Sequence, residues 1–91
     1  RRTNRTCRQI DGIDEQLLEL LAKRMRISRE IGVYKKEHNM PILQSPRYSE
    51  ILEKRSNMGE QMDLSTDFVK EILKEIHEES VRQQMIIMNE Q

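Results

Sequence analysis

Apolar residues recur at intervals of three and four along most of this chain, the spacing that lines one face of an α-helix. Ile10, Ile13, Leu17, Leu20, Leu21, Ile27 and Ile31 predict a first helix from about Arg5 to His38. No proline interrupts it, and Gly12 and Gly32 each lower its propensity by about 1 kcal/mol relative to alanine, a cost that packing can offset. Asn39-Met40-Pro41 ends it, because a residue before proline is pushed out of the α region. Ser45 and Pro46 open a short second helix, the serine capping orphan amides and the proline fitting the first helical position. That helix is expected to run to about Met58 and to stop at Gly59. Glu60 to Leu64 reads as a loop, after which Ser65 or Asp63 caps a third helix carrying Val69, Ile72, Leu73, Ile76, Val81 and Met85. The expectation is an all-α chain of three helices: a long first, a short second and a long third.

The lengths bear on assembly. A helix of about 33 residues spans roughly 50 Å, whereas a compact chain of this size is roughly 30 Å across. The apolar stripe nevertheless continues almost to both ends of the first helix, so one copy cannot cover it. The protruding part calls for a second chain, most simply a two-fold copy, and an intertwined homodimeric helical bundle is predicted. The plainer arrangement is an antiparallel three-helix monomer whose first helix frays.

Composition narrows the functions. The 91 residues make one domain, and with 35% apolar and 3% aromatic residues its core must come from aliphatic side chains and methionine. Residues 1–4 read as a linker or disordered start and 5–91 as the helical domain. Lys plus Arg and Asp plus Glu total 16 each, which argues against a nucleic-acid-coating surface. A single cysteine, Cys7, offers neither an internal disulfide nor a thiol pair for a metal, as expected of a cytoplasmic protein. No stretch approaches the roughly eighteen apolar residues of a membrane span. His38 and His77 are isolated and read as structural or solvated, and no phosphate-cradling glycine loop or nucleophile–base series is present.

The informative residues are polar ones on apolar faces. Arg24 lies seven residues after Leu17 and seven before Ile31, spacings that return to within about 20° of the same face. Lys35 follows Arg24 by eleven residues, with Ser28 between them. Two cations on an apolar stripe repel each other and lose hydration unless an anion sits between them or their heads reach water. On the third helix Ser80 and Gln84 continue the stripe of Ile72 and Ile76, away from Lys74, Glu75, Glu78 and Glu79. Taken singly, each has a bland reading: solvated heads for the cations, mutual hydrogen bonding for Ser80 and Gln84, a surface position for Arg47. Taken together they are cations and amide donors suited to a dianion.

Three segments with these residues carry a resemblance along nearly the whole chain. Ile10-Asp11-Gly12-Ile13-Asp14-Glu15-Gln16-Leu17-Leu18-Glu19-Leu20-Leu21-Ala22-Lys23-Arg24, Ile31-Gly32-Val33-Tyr34-Lys35 and Glu79-Ser80-Val81-Arg82-Gln83-Gln84 together resemble the all-α, AroQ-type chorismate mutases. The resemblance implies a Claisen rearrangement of chorismate to prephenate in aromatic amino-acid biosynthesis, with no cofactor and no metal, in a homodimer. It implies that Arg24 binds a substrate carboxylate, that Lys35 and Gln84 donate to the ether oxygen of the breaking bond, that Ser80 helps hold the ring carboxylate and that Arg47 lines the same pocket. At three positions the chain departs from the family pattern. Cys7 stands where an arginine that crosses to the partner's site is usual, flanked by Arg5 and Arg8, and Gln44 and Tyr48 stand where acidic residues contact the ring hydroxyl. The same scaffold also serves isochorismate-pyruvate lyases, and such domains occur fused to the synthase that opens the shikimate pathway, where a mainly regulatory or dimerising role is the other implied function.

Overall fold

The computed structural model describes residues 2–43 and 45–90 and contains three helices: α1 (Arg2–Glu37), α2 (Ser45–Gln61) and α3 (Thr66–Asn89). The all-α expectation holds. The chain's first and last residues and Gln44 lie outside the described residues, as do the side chains of Ser45 and Pro46 and with them the expected cap of α2. None of the three helices is long and apolar enough to cross a membrane.

The helix ends correct the sequence reading in three places. α1 begins at Arg2, ahead of the expected start near Arg5. It ends in a Schellman arrangement with Asn39 in the left-handed region (φ 53°), where the Met40 and Asn39 amides donate to the carbonyls of Lys35 and Lys36 at 2.8 and 3.4 Å. Gly59 does not stop α2. The helix runs on to Gln61 and closes in the same way at Asp63 (φ 64°), with Leu64 N–H donating to Gly59 at 2.9 Å and Asp63 N–H to Glu60 at 3.1 Å. Asp63 is thus a C-terminal residue of α2, while Ser65 caps α3 by accepting from the Phe68 amide at 3.4 Å. Gly59 is spent on packing: a Cβ there would lie 2.7 Å from Val69 Cγ2, so glycine permits α2 and α3 to meet.

Cross-contacts define the register. Ser28 meets Ser80, Gly32 lies against Gln84 and Lys36 bonds the Ile87 carbonyl, so α1 and α3 run parallel. Tyr48 stacks on His77 and Gly59 abuts Val69, so α2 runs antiparallel to α3. The backbones of α1 and α2 do not approach one another, and α3 lies between them as the floor of a groove.

The molecule measures 56 × 28 × 14 Å, with a radius of gyration of 16.5 Å against about 12 Å for a compact chain of this length. α1 and α2 each pack on α3 and not on one another. Three helices in one layer have no interior. Accordingly no apolar side chain is buried among the described residues, and Leu17, Leu20 and Phe68 are 56, 66 and 54% exposed. The residues that are buried, Ser28, Ser56, Ser80 and Gln84 together with Gly32 and Gly59, mark the two seams where helix backbones come close.

Candidate active site

The α1–α3 seam carries the polar residues singled out in the sequence, and it brings four of them together. Ser80 is the pivot. Its Oγ accepts from Arg24 Nη1 at 2.9 Å and from Ser28 Oγ at 3.0 Å, and directs its own proton toward Met25 Sδ at 3.8 Å. One turn further along α3, Gln84 Oε1 accepts from Lys35 Nζ at 3.1 Å, and the same ammonium donates to the Ile42 carbonyl at 2.8 Å. Ser80 and Gln84 are each only 7% exposed.

These bonds aim the remaining donors. An ammonium has three protons and Lys35 uses two within the chain, leaving one for a ligand. Because Gln84 accepts through its oxygen, its NH₂ group is turned the other way, and it makes no hydrogen bond among the described residues. Arg24 and Lys35 are separated by about 16 Å along α1, yet they reach residues about 6 Å apart on α3. Lys35 therefore leans back, the direction helical side chains favour, Arg24 leans forward against it, and their charged heads converge. Arg24 remains exposed over much of its length, but its guanidinium is held at Ser80.

The electrostatics report the same convergence. Burial lowers the pKa of Arg24, and Arg55 on α2 lowers it further. Burial likewise lowers that of Lys35, with Arg47 adding to the effect. Two cations from α1 thus face two from α2 across the groove. The only ion pair among the described residues is Arg82–Glu79 on the outer face, so none of the four has a carboxylate partner. Arg47 and Arg55 also line one cavity of about 490 Å³ on α2, together with Glu50, Ile51, Lys54 and Met58.

The sequence reading missed two neighbours of this cluster. Arg55 lies two turns beyond Arg47, a spacing that keeps both on one side of α2. His77, set aside as isolated, precedes Gln84 by seven residues and so shares its face. Its ring stacks on Tyr48 with centroids 3.9 Å apart and planes 26° apart. Its pKa is lowered by burial first, then by Arg24 and Lys35, against an upward pull from Glu78. Cys7 is exposed and about 25 Å from Arg24 along the same helix, so neither it nor Arg5 nor Arg8 reaches this cluster within one chain. No group of three or more His, Cys, Asp or Glu side chains that can hold a metal occurs among the described residues.

A family model described as chorismate mutase type II matches residues 6–85, the stretch that contains Arg24, Lys35, Arg47, Arg55, His77, Ser80 and Gln84. The chain belongs to the type II chorismate mutases. It is similar to the bifunctional chorismate mutase/prephenate dehydratase of Buchnera aphidicola subsp. Schizaphis graminum, 35% identical over 81 residues covering 89% of this chain and 21% of that protein. The T-protein of Enterobacter agglomerans is 33% identical over 72 residues, 79% of this chain and 19% of its own length. The bifunctional chorismate mutase/prephenate dehydratase of Escherichia coli K12 is 28% identical over 82 residues, 90% of this chain and 21% of its own. This type II mutase chain thus spans about a fifth of the length of these relatives.

Proposed function

We propose that this chain catalyses the rearrangement of chorismate to prephenate, with the Arg24–Ser80 and Lys35–Gln84 pairs holding the substrate. The observation that carries the reading is the second pair: the 3.1 Å contact leaves one ammonium proton and the Gln84 amide protons as unspent donors side by side. Chorismate is a dicarboxylate, and four unpaired cations flank the groove. Arg24, with Ser80 beside it, takes the ring carboxylate, and Arg47 and Arg55 line the α2 side. The reaction transfers no proton and needs no nucleophile. In its transition state the carbon–oxygen bond lengthens before the carbon–carbon bond is complete, so negative charge grows on the ether oxygen. Donors fixed in advance at that oxygen bind the transition state more tightly than the ground state. Holding the two arms of the substrate in one compact conformer lowers the barrier further.

A homodimer belongs to the same reading. A molecule with no buried apolar side chain among its described residues has apolar faces available to a second copy, and the amino-terminal part of α1, beyond the reach of its own site, would lie over the partner. A covalently attached second enzyme is also part of it. The relatives named as bifunctional pair the mutase with a prephenate dehydratase, where the sequence suggested a synthase.

The test is prephenate formation from chorismate by the purified chain, alongside Arg24→Ala and Lys35→Ala. The expected result is measurable turnover that both substitutions abolish or cut at least a hundredfold. Three proteins with equal rates overturn the site. Sedimentation is expected to give twice the chain mass, and a stable active monomer overturns the assembly.

A further inference from the structure

The groups that converge on the groove are almost all donors. Arg24, Lys35, Arg47, Arg55 and the Gln84 amide offer protons, and the acceptors beside them are already engaged: Ser80 Oγ accepts from Arg24 and Ser28, Gln84 Oε1 and the Ile42 carbonyl each accept from Lys35, and the Glu50 carboxylate shares the α2 cavity of Arg47 and Arg55. A ligand that carries a hydroxyl as well as two carboxylates must place that hydroxyl's proton on something. Two polar groups next to the cations make no hydrogen bond among the described residues, the imidazole of His77 and the hydroxyl of Tyr48. Both residues are half-buried. His77 lies three residues before Ser80 and seven before Gln84, on the α3 face that forms the floor, and Tyr48 closes over it from α2 at a ring separation of 3.9 Å.

Resting on the reading of the site as a chorismate pocket, we propose that the stacked Tyr48–His77 pair is its specificity-determining element, with an imidazole nitrogen of His77 accepting the ring hydroxyl of the substrate and the Tyr48 ring fixing the imidazole plane. A carboxylate is the obvious acceptor for a hydroxyl, but here it would also pair with the cations meant for the substrate. A neutral imidazole accepts without doing so. The charged groups around it keep it neutral: Arg24 and Lys35 on α1 disfavour the imidazolium, burial does the same, and Glu78 on α3 opposes them without prevailing. Stacking on Tyr48 ties the orientation of that acceptor to the α2–α3 seam, the packing that also places Arg47.

Equilibrium binding distinguishes this proposal from the mutase reading on which it rests. A non-rearranging cyclic ether dicarboxylate that carries the ring hydroxyl, and its counterpart with hydrogen in that place, are titrated calorimetrically into the wild type, His77→Leu, His77→Gln and Tyr48→Phe, with turnover of chorismate followed in parallel. The wild type is expected to bind the hydroxylated ligand roughly five- to tenfold more tightly than the deoxy one, the worth of one neutral hydrogen bond. His77→Leu is expected to bind both alike. His77→Gln, which retains an acceptor, restores part of the preference, and Tyr48→Phe, which keeps the stack, preserves most of it. A His77→Leu protein of unchanged helicity that still discriminates as the wild type does overturns the proposal, as does a wild type indifferent to the hydroxyl. A wild type that discriminates in binding but forms no prephenate defeats the mutase reading and leaves the role of His77 standing.

Discussion

Replacing Lys35 by alanine separates what this side chain does for the fold from what it does for the reaction. The ammonium donates to two acceptors, Ile42 O at 2.8 Å and Gln84 Oε1 at 3.1 Å. Its removal leaves the oxygen of a residue that is 7% exposed without a donor, which costs about 1–3 kcal/mol where water cannot replace it. Here the truncated side chain opens a path for water, and the loss of a like charge facing Arg47 works in the other direction. The net effect on folding is therefore expected at about 1 kcal/mol or less. The effect on turnover is expected to be much larger. A preorganised donor aimed at a developing oxyanion is worth about 10²–10³ in kcat, or about 2.7–4 kcal/mol, and Lys35→Ala also frees the Gln84 carboxamide to rotate, so that both donors at the ether oxygen are lost. Initial rates of chorismate consumption and thermal melts on the same preparations read the two effects independently. A variant that turns over within about threefold of the wild type while melting at the same temperature refutes the assignment of Lys35 to the reacting oxygen.

Three further outcomes follow from the same geometry. Gly59→Ala gains about 1 kcal/mol of helix propensity but drives a Cβ to 2.7 Å from Val69 Cγ2, an overpacking cost of about 1–3 kcal/mol, so it is expected to lower the melting temperature. In a Val69→Ala background the same substitution is expected to raise it, and the same sign in both backgrounds excludes the close approach. The folded chain holds the His77 pKa below 6.5, so the unfolded chain binds more protons as the pH falls below that value. Stability present above pH 6.5 is then lost on acidification through the folded-state pKa, and melts from about pH 7 to about pH 5 are expected to decline more steeply for the wild type than for His77→Gln. Arg55→Met removes a cation that faces Arg24 and is expected to weaken chorismate binding severalfold and flatten its salt dependence; unchanged affinity at low salt places Arg55 outside the groove.

The periodicity of Ile10 to Ile31 and of Val69 to Met85 was enough to set three helices and to put Arg24, Lys35, Ser80 and Gln84 on their apolar faces, because a residue's direction on a helix depends only on its count along the chain. The same counting, carried from Gln84 back by seven, would have found His77. What counting does not provide is the register between helices. That depends on how closely two backbones approach, at Gly32 against Gln84 and at Gly59 against Val69, where the absence of a Cβ allows contact. The same requirement kept Gly59 inside α2, where the sequence read a stop, and moved the helix end to Gln61, closed at Asp63. Only this packing decided that Arg24 finds Ser80, that Lys35 finds Gln84 and that Arg55 and Tyr48 join them from α2. It also left α1 and α2 apart, each packed on α3 alone. The apolar positions that the sequence marked for a core are consequently exposed or only half-buried in a single chain, since an interior needs a second layer and three helices side by side do not supply one.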